Sequence, residues 1–487
     1  MARQSKIIRL ADFTGGEASI FPVSKMPAKY SERLQNCHLS EHGSVEKIPG
    51  YVKVNTTTAG VTLTSGHEFR KSDGTVLTLV AGGGSIFKVV GDTLSAIKTG
   101  LDTSAKVSFA TMNDLCIMVN GVDAPMKFDG TTVSALGGTP PATAFKVHVH
   151  KGRVWFLEKT NRLLATHSAL NDPEDYTTAS NAGYLDFKFV LPHGDELLDV
   201  KTYIDLQIFY FRNHIAIYSG TNPTSSGHYN LVQLIEGSGV VATDTAIGLG
   251  SDMAFIYDSG VKSLRQVVTT GSLNVDDLSE KIDPVLRGEI KTATVFSIAH
   301  YPKFGWLMLL INETVWIYSY TWKAWGRMVG ADVKGMFSTT DGKVYLCGTG
   351  FLYEYGSGWD FAGVEPVFEW RLVWVQLSNS GIMVSPKMAT VIMHPEAVTT
   401  LSLETKYDLN IAMTENFTTI DVQADSYNYI DSISDWDAMN PMDEVLYTQA
   451  RIPLFGRGRI MQMIFRNTSS LPVDISDIVL QVVPGGY

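Results

Sequence analysis

The chain has 487 residues, 45% of them hydrophobic, which is enough for a sizeable core and more than one domain. Only 18% are charged, and the formal net charge is -11. An acidic chain lacks the Lys and Arg excess that phosphate backbones require, so tight sequence-independent nucleic-acid binding is excluded as its main task. A low share of charge suits a protein that covers part of its surface with partners. The three cysteines, Cys37, Cys116 and Cys347, are odd in number and far apart, and they form no zinc pattern. Cys116 and Cys347 lie in apolar strand-like runs and read as buried thiols of a protein assembled in the cytosol.

The first ten residues are polar and basic, without the apolar stretch of a signal peptide. Folding in the cytoplasm is therefore expected. No apolar run is long enough to span a bilayer, the run Trp306 to Ile311 being typical. Residues 1-60 carry extended and turn signals. From there a unit recurs: an apolar strand, a tight polar turn, and a second apolar strand. It appears at Leu77 to Val80 with Ile86 to Val89, at Cys116 to Val119 with Met126 to Phe128, and at Val154 to Leu157 with Leu163-Leu164. It returns at Gln207 to Phe211 with Ile215 to Tyr218, and at Met253 to Tyr257 with Val261 to Leu264. The last two copies are Trp306 to Ile311 with Val315 to Tyr318, and Val344 to Cys347 with Phe351 to Tyr353. Asp283-Pro284 gives the best helix signal, an N-cap residue followed by proline at N1, for a short helix to about Ile290. From about Val364 the pattern changes to longer strands: Phe368 to Leu377, Ala389 to Met393, Thr400 to Leu403 and Ile475 to Val483.

Successive hairpins start ~40-50 residues apart, the length of a four-stranded propeller blade. One such sheet cannot bury both faces alone, whereas radial stacking buries them and leaves short edges. The expectation is an all-β protein. A β-propeller of six or seven degenerate blades spans 61-360. A second β-rich platform or sandwich domain forms from the chain ends, with 1-60 joining 361-487. A pair of β-sandwiches would also space hairpins regularly. No Trp-Asp blade ending or sialidase box marks the repeats.

No catalytic, cofactor-binding or metal-binding residues are expected. His148-Val149-His150 puts two imidazoles on one strand face, but no carboxylate follows closely, and a polar strand face is the better reading. Gly237-Ser238-Gly239-Val240-Val241-Ala242 matches a dinucleotide fingerprint in letters only, because no βαβ context surrounds it. No nucleophile elbow, phosphate loop or HExxH occurs. Paired carboxylates for glycoside hydrolysis leave no linear trace. An acidic stretch, Asp421, Asp425, Asp431, Asp435, Asp437, Asp443 and Glu444, reads as a solvated loop, a lumen face that repels nucleic acid, a surface facing a partner, or a Ca²⁺ site, the last without the spacing of an EF-hand. Arg451, Arg457, Arg459 and Arg466 follow it as a basic patch that can meet acids of a neighbouring copy around a ring.

Three segments carry a family likeness. They are Leu34 to Leu39 with Gly43 to Gly50 (LQNCHL, GSVEKIPG), Ser168 to Tyr176 (SALNDPEDY) with Gly194 to Leu197 (GDEL), and Ile215 to Gly220 (IAIYSG). Together they resemble the tail hub, or nozzle, proteins of short-tailed bacteriophages, the stabilisation or tail tubular protein B-like group. The likeness covers about residues 30 to 360. It implies a homohexameric ring in the virion tail, below the head-to-tail adaptor ring, with an outer propeller and a β platform made from the chain ends. It also implies fibres or spikes and a needle as partners, a channel through which DNA passes without specific binding, and no catalytic residue. A glycan-binding propeller and a phage polysaccharide depolymerase are the rival readings.

Overall fold

The computed structural model describes residues 5-191, 194-225, 227-250, 252-266, 273-378, 382-394, 399-409, 416-422 and 448-484. Strands dominate it, and the described residues hold one α-helix, Asp283–Thr292. Among the described residues no helix is long and apolar enough to cross a membrane. The chain divides into two compact units. Met1–Tyr51, Trp316–Ala331 and Gly356–Tyr487 make the first, and Val52–Val315 with Asp332–Tyr355 make the second. Trp316–Ala331, expected within the propeller, thus belongs to the unit built from the chain ends.

The second unit is a β-propeller. Its seven blades begin with the strands Ser65–Arg70, Ser108–Met112, Ala144–His150, Leu197–Tyr203, Ala246–Gly248, Phe296–Tyr301 and Gly335–Ser338. Each of these first strands packs beside the next, and Gly335–Ser338 packs against Ser65–Arg70, which closes the ring. The first five blades are four-stranded antiparallel sheets whose strands follow chain order from inside to outside. In the sixth, Phe296–Tyr301 pairs with Trp306–Ile311. After Val315 the chain enters the other unit and returns at Asp332. The seventh blade takes its outer strand, Tyr51–Lys53, from the start of the unit. Val54 N–H donates to Leu352 O at 2.8 Å, and Leu352 N–H donates to Asn55 Oδ1 at 2.8 Å.

The apolar hairpins of the sequence are the second and third strands of the blades. They are buried on both faces, as in the wholly buried Trp306–Ile311, because a blade lies on either side. Outer strands such as Thr93–Lys98 are half exposed and carry a weaker pattern. Between blades the contacts are large and apolar: Phe69 with Phe128, Trp155 with Phe209, and Tyr210 with Phe255. The helix buries Leu286 and Ile290. Ile282, not Asp283, is its N-cap; Asp283 lies in the first turn and pairs with Arg287 one turn on, at 2.7 Å.

The first unit is a β-sandwich. One sheet runs Thr448–Pro453, Val384–His394, Asp474–Pro484, Val45–Lys47, Cys37–Leu39. Lys6–Leu10 adds to it antiparallel, with Lys6 opposite Val482 and Leu10 opposite Ile478, so both chain ends lie in one sheet. The other contains, in order, Tyr30–Gln35, Phe368–Leu372, Ile460–Asn467, Thr399–Tyr407 and Asn416–Val422. One core joins the inner faces, with Phe13, Trp370, Leu403 and Phe465 meeting Val391, Ile478 and Leu480. The Trp370 indole N–H reaches Ser31 Oγ at 2.9 Å, which satisfies the one polar atom of that buried ring. All three cysteines are free and buried, and burial pushes the Cys347 thiol up to about 12.

Candidate functional site: the axial channel of the propeller

The first strands surround a cavity of about 250 Å³. A strand alternates its side chains, so every second residue of each first strand points into this space. Blades two to five supply charge there. Lys106 precedes the first strand of blade two, Lys146 lies on that of blade three, Asp199 and Lys201 on that of blade four, and Asp244 precedes that of blade five. Blades six, seven and one supply Ser297, Ile298, Met336, Phe337, Ser65 and His67. The channel therefore has a charged half and a neutral half.

The charges alternate along a chain of contacts. Lys106 Nζ lies 3.5 Å from Asp244 Oδ2, and Lys146 Nζ pairs with Asp244 Oδ1. Lys146 also lies 3.3 Å from Asp199 Oδ1, and Lys201 lies 3.8 Å from Asp199 Oδ2. Asp199 is fully buried and accepts further hydrogen bonds from the backbone N–H of Val200, at 2.8 Å, and of Asp244, at 3.1 Å. Burial opposes the charge of Asp244, but Lys146, Lys106 and Lys201 outweigh it and hold its carboxyl far below the usual range. Burial likewise opposes the Lys146 ammonium, and Asp199 and Asp244 more than restore it. Burial pulls Lys201 down, and Lys146 adds to that pull against Asp199. The network ties four consecutive blades together at the axis.

His148 and His150 both reach one hydroxyl, Thr202 Oγ1, at 2.8 Å and 2.9 Å. Burial, then Lys201 and Lys146, hold His148 well below its ordinary value, and burial lowers His150 to about 4. His67 is lowered to about 4, again chiefly by burial, and it contacts Thr111 Oγ1 at 2.8 Å. These imidazoles are neutral near pH 7. No group of three or more metal-ligating side chains converges among the described residues.

Other expected positions fall elsewhere. Asp421 lies on strand Asn416–Val422 opposite Thr400. Asp425, Asp431, Asp435, Asp437, Asp443 and Glu444 lie outside the described residues. Arg451, Arg457 and Arg459 are exposed. The Arg466 guanidinium pairs with Glu369 at 2.8 Å and Glu404 at 2.6 Å, on the face of its sheet opposite the core residues Trp370, Leu403 and Phe465. The strand pairing sets this up, because Arg466 stands opposite Glu369 on one neighbour and Ser402, two residues before Glu404, on the other. The fingerprint-like Gly237 to Ala242 is a loop between blades four and five. A Cβ on Gly239 would lie 2.2 Å from Phe211 O, so close backbone approach accounts for that glycine.

The segments that carried the family likeness are packing and turn devices. Asn36, in a left-handed conformation, donates to Val329 O and Val367 O and accepts from Val329 N–H. Glu174 clamps Lys127 at 2.7 Å and Gly137 N–H at 2.6 Å, which fastens blade three to blade two. Asp195 accepts from Asn213 N–H at 2.9 Å and contacts His214 Nδ1 at 2.6 Å, pinning the turn of the blade-four hairpin.

No family model and no curated protein matches this chain. Solved structures similar to it include the extracellular domain of BT4673 from B. thetaiotaomicron, at 10% identity and a TM-score of 0.47. That match covers 69% of this chain and 43% of the other, so the chain spans less than half of that relative's length. The Cps50 (Swd1) β-propeller domain of Myceliophteria thermophila is 9% identical with a TM-score of 0.43, over 63% of this chain and 99% of the domain. BamB from Moraxella catarrhalis is 8% identical with a TM-score of 0.40, over 64% and 97%. At these identities the likeness concerns fold alone.

Proposed function

We propose that the chain is a structural component of a short-tailed phage tail, a nozzle ring that extends the head-to-tail channel, retains the genome and conducts it at ejection. The observation that carries this reading is the pairing of Lys6–Leu10 with Asp474–Pro484, which makes one β unit out of both chain ends, while the middle of the chain builds a propeller. This is the arrangement that the family likeness implies. The net charge of -11 favours a surface along which DNA slides without sticking. In this reading the chain forms a homohexamer, receives the adaptor ring on one side, and docks fibres, spikes or a needle.

A polysaccharide-cleaving propeller is disfavoured by the channel chemistry. A glycoside hydrolase needs one carboxyl held protonated as general acid. Asp244, on the cavity wall, and the fully buried Asp199 are both bound by lysines, and Asp244 is held ionised. Electron microscopy with mass photometry of the purified chain, alone and with an adaptor ring, tests the proposal. The expected product is a ring of about six 53.4 kDa subunits around an open channel. Persistent monomers in the presence of the adaptor, together with reducing sugar released from a host polysaccharide, would overturn it.

A further inference from the structure

The axial network is unbalanced. Three ammonium groups, Lys106, Lys146 and Lys201, face two carboxylates, Asp199 and Asp244. Lys146 sits between both acids and is spent. Lys106 and Lys201, at the two ends, each touch one carboxylate at 3.5 Å and 3.8 Å, beyond ordinary hydrogen-bond length. Neither makes a hydrogen bond among the described residues, and their side chains keep 31% and 25% of their exposure at the wall of the cavity. The neighbouring imidazoles of His67 and His148 add donors without adding charge. Ser65, on the neutral side, has a buried hydroxyl with no partner. A chain that is acidic overall thus carries one net positive charge in a walled space.

We infer that the channel is a binding site for a small oxyanion, held between the ammonium groups of Lys106 and Lys201. An oxyanion there neutralises the excess charge and gives both lysines charge-assisted hydrogen bonds in a partly desolvated setting. The cavity of about 250 Å³ has room for phosphate or a small polycarboxylate. A cation is disfavoured, because the two acids already hold Lys146. The site does not depend on the tail reading.

Calorimetric titration of the full chain with sodium phosphate and with sodium citrate, against sodium chloride at equal ionic strength, tests the inference. The two probes separate a tetrahedral from a carboxylate ligand. Saturable binding of either one, weakened at least tenfold in Lys106→Met/Lys201→Met, is expected. Heat-silent titrations with both probes, or binding unchanged in that double variant, would overturn it. If the double variant fails to fold, selenate soaked into wild-type crystals decides by its anomalous signal. A peak between Lys106 and Lys201 supports the site, and peaks confined to other positions reject it.

Discussion

The Lys146 ammonium lies 3.3 Å from Asp199 and joins the third propeller blade to the fourth at the wall of the channel. Asp199 is wholly buried, so its charge is tolerable only while Lys146, Lys201 and two backbone N–H groups face it. Lys146→Met removes the nearer ammonium and leaves Asp199 with Lys201, at 3.8 Å, as its counter-charge. Such a break costs up to about 3-5 kcal/mol. Lys146→Met/Asp199→Asn should recover much of the loss, because it removes both charges. Lys106→Met, at the half-open end, should cost no more than ~1 kcal/mol. Urea midpoints with unchanged slopes measure all three. A Lys146→Met midpoint equal to that of Lys106→Met would show that the network contributes little to stability.

Acid should weaken the fold well above the carboxylate range. Burial holds His150 and His167 near pKa 4, below the ordinary ~6.5. A depressed folded value means the stabilisation is complete above the unfolded value and is lost as pH falls towards the folded one. For these residues the window is roughly pH 6.5 to 4. Each contributes a slope on the order of 1.4 kcal/mol per pH unit within it. Asp244 is depressed as well, but its contribution starts to fall only near ~3.9, where a free aspartate begins to protonate. Urea midpoints from pH 7.5 to 4.5 should therefore fall from about pH 6.5 downward. His167→Gln should flatten the curve by about one proton. A midpoint constant down to pH 5 would contradict burial of neutral histidine.

Arg466 and the three arginines before it should behave as different classes. Glu369 and Glu404 are both buried, and Arg466 holds both. Arg466→Met should cost about 1-3 kcal/mol, the loss of one charged hydrogen-bonding partner, because Glu369 keeps Arg371 at 3.0 Å and Glu404 keeps Lys406 at 3.3 Å. Arg451→Ser, Arg457→Ser and Arg459→Ser lie at exposed positions and should stay within ~0.5 kcal/mol. Thermal unfolding of the four variants gives the ranking. If the three exposed changes break a ring while leaving the midpoint alone, they mark a subunit contact; if they destabilise the isolated chain, they are engaged inside it.

What the sequence disclosed follows from where apolar residues go. The middle strands of each blade are covered on both faces, so they appear as unbroken runs such as Trp306 to Ile311, flanked by turns. Seven such hairpins could be counted directly. The first strands, such as Ser65–Arg70, mix polar and apolar residues because one face looks into the channel, and they left no clear signal. The axial network was missed for the same reason. Lys106, Lys146, Asp199 and Asp244 each stand about one strand length before the apolar hairpin of their repeat. An alignment of the repeats on those hairpins brings these charges to eight to ten residues before each hairpin, close to one another without sharing a column. The partners of Arg466 were not legible, because charge along the chain says nothing of cross-strand neighbours, and Glu369 lies nearly a hundred residues away.

One buried side chain fastens the closure of the ring. Asn55 is fully buried, accepts from Leu352 N–H at 2.8 Å, and donates to Thr57 O at 2.7 Å and Gly350 O at 3.1 Å. It stands where the start of the unit meets its last blade. Asn55→Ala leaves a buried N–H and two carbonyls without this partner, at roughly 1-3 kcal/mol for each group that stays unsatisfied. The opening should be local, because the other blades are joined along the chain and keep their own apolar contacts. Hydrogen exchange should therefore quicken in Leu352–Tyr355 and Val344–Cys347 while Leu206–Phe211 keeps its protection. Asn55→Asp retains the acceptor for Leu352 N–H but sets a buried carboxylate against the carbonyls of Thr57 and Gly350, and should cost at least as much as alanine. Uniform loss of protection across all seven blades would mean that the ring unfolds as one unit and that Asn55 guards no separate joint.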